Sequence, residues 1–509
     1  MAPTQGSACP PEANGLEDVQ SFGQMDASPA EEEPEALGIL LRRFFWEVSV
    51  FIIMVLPVVF TISASLGALV VAAAEGWPVH ESFGFMCAAI TGGAIQVQGH
   101  AAVPSRLISR LAASLVGSCG VAVFGFAVAA LGSLVPERLL AAAGLTAPQV
   151  SWRTPFRVPA LVVLVVAFQL LVSAVLGGLV AGVEGWTYKE GWKTVVSAQL
   201  GGGIPIAIMV PSAPFSELVL VVTSCWAIGL VTLFISAAST LCTQMFLAVC
   251  KLDLSQDGRW RPAVGLFALL VAVVLPLALL LAMSLIGVVL LVTDGAEFEL
   301  TFWRALPAVS GGAATVISAA EAAESIAEHV VFICASTVGF LILCVGTNIA
   351  SEPLGPILAK CGFGEHLGER GGELRALRRF AATVLLVIPA VVYALAVPIG
   401  AVLASVEGWA FRDGFWWCVA AQLGGGMALS GATIATPGGR LTGTLAAAWS
   451  IGVAALSVGL SSAPAMEPLQ VWLRALASGA LFRRTSPVLA AQAREPPRPA
   501  PGWAQEYGE

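Results

Sequence analysis

The sequence predicts an all-α membrane protein with eight transmembrane helices and four re-entrant loops on a pseudo-fourfold frame. Composition is the first reason. Hydrophobic residues make up 57% of the 509 and charged residues 11%, with a mean hydropathy of +0.86, far from the balance of a water-soluble domain. Eight apolar stretches are the second reason, each long enough to cross ~30 Å of hydrocarbon, which takes ~20 helical residues. The third is a repeat. Four times an acid–glycine pair is followed, 17 residues on, by a glycine doublet, and a register kept over four copies marks one structural unit used four times.

Residues 1–36 are polar, include the acidic run Glu31-Glu32-Glu33, and are expected to be disordered in the cytoplasm. No cleavable signal peptide is expected, so the first span serves as its own insertion signal. The spans are placed at 44–74, 107–134, 158–183, 218–250, 263–293, 330–349, 380–405 and 441–463. Isolated Ser, Thr, Gly or Gln interrupt them, but almost no charge does; Glu47 lies at the edge of the first, where the interface hydrates it. Paired in order, the spans give repeats at 37–134, 158–250, 262–350 and 378–465. Residues 466–509 form a cytoplasmic tail. Within it, 471–484 suits either an amphipathic helix on the inner leaflet or a frayed continuation of the last span. The Pro/Ala-rich end beyond 485 is expected to be disordered.

Basic residues set the orientation. Arg42 and Arg43 precede the first span, Arg483 and Arg484 follow the last, and the segments between repeats carry Arg138, Arg153, Arg157, Lys251, Arg259, Arg261, Lys360, Arg370, Arg375, Arg378 and Arg379. Segments inside the repeats lean acidic. Both termini are therefore expected in the cytoplasm, for a multi-pass protein of the plasma membrane or an intracellular one. With charge so distributed, the net −8 says little about soluble partners. The ten cysteines show no CxxC or Cys/His spacing that would hold a metal, and small packing residues is the reading they support.

The repeated motif has further parts. The acid–glycine pairs are Glu75-Gly76, Glu184-Gly185, Asp294-Gly295 and Glu407-Gly408, and the doublets Gly92-Gly93, Gly201-Gly202, Gly311-Gly312 and Gly424-Gly425. An aromatic stands nine residues before each doublet, at Phe83, Trp192, Phe302 and Phe415. Three repeats carry a proline 35 residues before it, at Pro57, Pro276 and Pro389, with Val166 in the second. The dozen half-apolar residues before each doublet form a helix too short to span. A short helix followed by glycine-rich extended chain reads as a re-entrant loop, since non-helical backbone at membrane depth survives only buried in protein or lining water. Four such loops around one axis make a pore.

Glycines in such a loop permit backbone shapes that side chains forbid and let carbonyls face an ion. The carbonyl end of the short helix, worth about −0.5 charge, favours a cation. The candidate selectivity filter is Thr91, Gly92 and Gly93; Leu200, Gly201, Gly202 and Gly203; Ser310, Gly311 and Gly312; and Leu423, Gly424, Gly425 and Gly426. Glu75, Glu184, Asp294 and Glu407 either line the outer mouth, enriching cations within a screening length of ~8 Å, or cap the short helices. A later glycine follows each doublet by 28 residues, at Gly120, Gly229, Gly339 and Gly452, as a gating hinge or a close-packing site.

Glu407-Gly408-Trp409 through Gly426, then Thr436 to Leu441 and the helix holding Ala448-Trp449-Ser450-Ile451-Gly452, resembles a potassium-channel pore module. The nearest pattern is that of the two-pore-domain potassium channels, whose loops often open with Glu-Gly-Trp, as do Glu75-Gly76-Trp77 and Glu184-Gly185-Trp186 here. The resemblance covers the organisation of about 37–465 and implies a potassium channel formed by one chain as a pseudotetramer. Potassium filters usually read Thr-Val-Gly-Tyr-Gly-Asp. The four stretches here, Ile90 to Ala94, Gln199 to Gly203, Val309 to Ala313 and Gln422 to Gly426, lack the aromatic and the trailing acid, which implies a softer or wider filter. The first and third share Gly-Gly-Ala and the second and fourth Gln-Leu-Gly-Gly-Gly, so a two-loop unit was itself duplicated.

The expected activity is passive conduction of a monovalent cation, most of all potassium, with the lipid bilayer as partner and no nucleic acid, resident cofactor or metal. A Trk/HKT-type potassium transporter, which also sets four such units in one chain with a degenerate filter, is the main alternative. A non-conducting membrane scaffold is the second. No nucleophile–base set, phosphate loop or metal cluster suggests an enzyme, and His80, His100, His329 and His366 are scattered, as ordinary exposed histidines or a proton sensor. No span carries arginines at every third position, so a voltage sensor of the usual kind is not expected.

Overall fold

The computed structural model describes residues 37–93, 103–132, 154–201, 211–229, 260–295, 297–312, 325–351, 353–354, 378, 381–425 and 427–461. The expectations for 1–36, for 466–509 and for Gly202, Gly203 and Gly426 lie outside the described residues. The chain divides into a short unit through Arg43 and a second unit from Phe44 onward. Of the first, only the opening turns of the helix Leu37–Val50 are described. The second holds all that follows.

Every described element is helical. Among the described residues, seven helices are long and apolar enough to cross a membrane: Phe45–Glu75, Leu107–Val128, Ala167–Glu184, Ala263–Thr293, Ala327–Ser351, Thr383–Glu407 and Pro437–Leu460. The protein is a multi-pass membrane protein, and these match seven of the eight spans placed from sequence. The eighth, at 218–250, begins in the shorter helix Pro214–Gly229, and its remainder lies outside the described residues. Apolar side chains such as Val58, Leu66, Leu281, Leu285 and Leu386 are exposed, as lipid-facing positions are.

Each repeat has a first helix, a 12-residue short helix and a second helix. The first helix ends at the acid, and the glycine after it takes a left-handed conformation, with φ of 74° at Gly76, 70° at Gly185, 67° at Gly295 and 70° at Gly408. In two repeats the next residue, Trp186 or Trp409, donates its amide to the carbonyl of Ala181 or Ala404 at 3.0 and 2.9 Å. That is a Schellman cap, which a glycine at this position makes without strain. The short helices follow in one register: Val79–Ile90, Tyr188–Gln199, Phe298–Val309 and Phe411–Gln422.

The recurrent proline also has a local reason. The π-helical turns Phe51–Val55, Leu270–Val274 and Thr383–Val387 stand just before Pro57, Pro276 and Pro389. Proline has no N–H, and its ring clashes with the carbonyl four residues back; a π-turn opens the helix where that carbonyl lies. The second repeat, with Val166 in place of proline, runs unbroken from Thr154 to Glu184.

The short helix is seated on the first helix at a point set by backbone contact. A Cβ on Gly177 would lie 2.6 Å from Trp192 Cα, one on Gly400 2.8 Å from Phe415 Cα, and one on Gly287 3.0 Å from Phe302 Cα. These partners are the recurrent aromatics. Their Cα atoms mark the crossing, while the rings pack, half-buried, against the common core.

Candidate functional site

Each doublet stops its short helix. The first glycine is left-handed or beyond in every repeat, with φ of 64° at Gly92, 79° at Gly201, 65° at Gly311 and 100° at Gly424. The second donates back to the helix: Gly93 to the Ala88 carbonyl at 3.0 Å, Gly312 to Pro307 at 2.8 Å and Gly425 to Ala420 at 2.7 Å. The bond spans five residues, the Schellman pattern again. The doublets therefore turn the chain sharply at the carbonyl ends of the short helices.

These turns meet each other. A Cβ on Gly424 would lie 2.8 Å from Gly92 Cα, and one on Gly201 would lie 2.9 Å from the Gly311 carbonyl oxygen. The first repeat thus touches the fourth, and the second the third. Beside them is one cavity, about 930 Å³ of empty space with the solvent it opens to. All four repeats line it, through Ile90 to Gly92, Ala198, Gln199 and Gly201, Ser310 and Gly311, and Gln422 to Gly424. Second-helix residues such as Val121, Phe124, Phe340 and Leu343 make most of the rest apolar. Of the expected filter residues, Thr91, Gly92, Gly201, Ser310, Gly311, Leu423 and Gly424 line this cavity.

The acids are elsewhere. Glu75 accepts from the Ser105 amide and hydroxyl at 3.2 and 2.6 Å and from the Arg106 amide at 2.8 Å. Glu184 accepts from the Ser212 hydroxyl at 2.8 Å and the Ala213 amide at 2.9 Å. Glu407 accepts from the Ala435 and Thr436 amides at 3.0 and 2.9 Å and from the Thr436 hydroxyl at 2.6 Å. In each case the carboxylate at the end of the first helix closes the start of the second helix. For Glu75, Glu184 and Glu407 the expectation that they cap the short helices is corrected; the residues at the four N-cap positions are Pro78, Thr187, Glu297 and Ala410. Only Thr187 caps with its side chain, in a capping box with Glu190. The reason is chain geometry, since the left-handed glycine turns the short helix away while the second helix returns beside the first. The Asp294 side chain lies outside the described residues. In its repeat Ser325 and Glu328 form a local capping box, amide to carboxylate at 2.8 Å and amide to hydroxyl at 3.0 Å.

The later glycines are contact points of two kinds. A Cβ on Gly120 would strike the Ile90 carbonyl oxygen, and one on Gly339 the Val309 carbonyl oxygen, both at the end of a short helix. One on Gly229 would strike the Ile52 side chain, and one on Gly452 would come 2.7 Å from the Val271 side chain, both in π-turns of the preceding repeat.

Charged residues join neighbouring repeats in a consistent order. The Arg110 guanidinium lies 5.7 Å over Trp416, joining the first repeat to the fourth, and Arg440 lies 5.8 Å over Trp303, joining the fourth to the third. His329 of the third is within electrostatic reach of Lys193 of the second, and Glu217 of the second within reach of His80 of the first. Within the third repeat, Arg304 and Glu328 form a buried ion pair at 3.0 Å. Among the described residues no group of three His, Cys, Asp or Glu is placed to hold a metal ion. Gln199 and Gln422 are cavity residues that the sequence reading did not assign; they stood in the filter strings as frame, and nothing in their spacing separated them from it.

No protein-family model, curated protein or solved structure matches the chain.

Proposed function

We propose that the protein is a cation channel, potassium channel-like in plan, in which ions pass through the cavity beside the four glycine turns. The observation that carries this reading is that one cavity is lined by equivalent residues of all four repeats. Supporting it, the carbonyl ends of the short helices lie at that cavity, where aligned peptide dipoles favour a cation by about half a charge each. The order of contacts, first to fourth to third to second to first, is the order a closed ring of four requires. In this reading the short helices are re-entrant, eight spans surround a pseudo-fourfold axis, both termini are cytoplasmic, one chain suffices, and the protein is not an enzyme.

A second reading, a Trk/HKT-type potassium transporter, draws on one feature: the first glycine of every doublet, Gly92, Gly201, Gly311 and Gly424, has positive φ, so each loop has one glycine that recurs in all four turns. Whole-cell recording under potassium/sodium bi-ionic conditions separates the readings, beside the double variant Gly201→Val, Gly424→Val. Both positions have positive φ and meet neighbouring backbone. A current lost in the variant and reversing near the potassium equilibrium potential is the expected result. Reversal near zero makes the pore non-selective. No current with the protein at the cell surface overturns the channel; potassium uptake by deficient yeast would then favour the transporter, and its lack a non-conducting scaffold.

A further inference from the structure

The polar side chain beside each glycine doublet changes place from repeat to repeat. Two residues before the doublet stand Ile90, Gln199, Val309 and Gln422; one residue before it stand Thr91, Leu200, Ser310 and Leu423. The first and third repeats thus pair an aliphatic residue with a hydroxyl, and the second and fourth pair an amide with leucine. Each repeat supplies one polar side chain at this level. Thr91, Gln199, Ser310 and Gln422 all line the cavity.

The amides are the unusual members. Gln199 and Gln422 are each 1% exposed. Neither amide atom of Gln422 has a hydrogen-bond partner, and the Gln199 nitrogen has none. The end of a short helix does not need glutamine, since Ile90 and Val309 occupy the same place in the sister repeats. A buried amide left unpaired is costly, and Ile or Val would fill the position without that cost. The Gln199 oxygen is near the Ser173 hydroxyl, 2.6 Å away, but that hydroxyl has one hydrogen and a second acceptor, the Gln169 carbonyl at 2.8 Å. With that hydrogen on the Gln169 carbonyl and the amide turned over by about 180°, the Gln199 nitrogen would donate to Ser173 and its oxygen would be free. Ala396 stands where Ser173 does in the register of the fourth repeat, so Gln422 has no such tether. The hydroxyls complete the set: Thr91 donates to the Cys87 carbonyl at 2.7 Å, which leaves its oxygen lone pairs available.

We propose that Gln199 and Gln422, with Thr91 and Ser310, form a side-chain ring that coordinates a partly dehydrated monovalent cation in the cavity. The amide oxygens of the second and fourth repeats set which ion is held. This rests on the channel reading and adds to it the residues that determine selectivity. Two amides alternating with two hydroxyls around the ring make a twofold site of neutral oxygens, suited to an ion that must bind and leave, whereas carboxylates would hold it longer.

The test compares the full-length wild type with Gln199→Val, Gln422→Val and with Gln199→Glu, Gln422→Glu, all recorded at matched surface expression. Valine copies the third repeat, so the fold should tolerate it. The valine variant is expected to lower unitary cation conductance and to change the potassium/sodium permeability ratio by about threefold or more. The glutamate variant is expected to gain block by barium or magnesium. Wild-type current with both variants matching it in conductance, ratio and divalent sensitivity overturns the assignment while leaving the channel standing. Absence of wild-type current overturns both.

Discussion

Glu407→Ala tests whether the acids that share the repeat register hold the protein together or act as mouth charges of the proposed channel. The half-buried carboxylate accepts two backbone amides and the Thr436 hydroxyl at the start of the last helix. Gly439 is packed so closely on it that a Cβ there would overlap the Oε1 atom. Hydrogen bonds to a charged group contribute about 1.5–3 kcal/mol each, and charge at a helix start adds about 0.3–1 kcal/mol. Water can reach this carboxylate and replace part of that, so the loss is discounted to about 2–3 kcal/mol. With an unfolding entropy of about 2.1 cal/mol/K per residue over the roughly 300 residues described, the melting temperature should fall by about 3–5 °C. The assay is thermal unfolding in detergent, followed by tryptophan fluorescence. Glu407→Gln keeps an acceptor without the charge and should lose about half as much. An alanine variant that melts with the wild type would refute the latch. If it also lost conductance at low salt, the carboxylate would be a mouth charge instead.

Three further outcomes follow from named contacts. Gly120→Ala drives a methyl into the Ile90 carbonyl and should cost about 2–3 kcal/mol with no side-chain rescue, whereas Gly229→Ala meets only the Ile52 side chain and should be relieved by Ile52→Ala, so that the double loses less than the two singles together; thermal melts of the singles and the double decide it. Arg304→Met removes the counter-charge of the Glu328 carboxylate, which keeps the Ser325 amide, and should cost about 3 kcal/mol, while Arg304→Met with Glu328→Met costs less than the single, since both members of the buried pair are gone. Hydrogen bonds from Thr187 hold the Glu190 carboxyl below its ordinary range. A carboxylate with a lowered folded value contributes its stability above the unfolded value and loses it as pH falls through the folded one. The melting difference between wild type and Thr187→Ala should therefore be full at neutral pH and shrink below pH ~4.

Much of the fold was legible because its cues are local. A glycine after the acid is needed where the chain turns left-handed, so all four acid–glycine pairs mark helix ends. The prolines were legible as a register mark, but not as π-turns, because only the coordinates show which carbonyl moved aside. The latches were not legible. Their partners lie 30, 28 and 29 residues downstream, at Ser105, Ser212 and Thr436, and the unequal connections break the register that exposed everything else. Contacts between repeats, such as Arg110 over Trp416, were hidden for the same reason: no periodicity links residues 306 positions apart.

The two kinds of glycine contact bear on how such a pore would move. In the first and third repeats the second helix presses, at Gly120 and Gly339, on the carbonyl that ends its own short helix. A tilt of that helix cannot spare the glycine turn, because a backbone oxygen has no rotamer through which to yield. In the second and fourth repeats the second helix presses, at Gly229 and Gly452, on Ile52 and Val271, side chains set in π-turns of the neighbouring first helix. Those contacts are with buried side chains rather than with backbone. The odd repeats thus set the second helix against backbone at the end of a short helix, and the even repeats set it against a first helix that exposes apolar side chains such as Ile53, Met54 and Val273 beside the same turns. The same alternation governs the polar side chains, hydroxyl in the odd repeats and amide in the even. A twofold division of polar side chains and a twofold division of packing contacts therefore coincide on one four-copy sequence register.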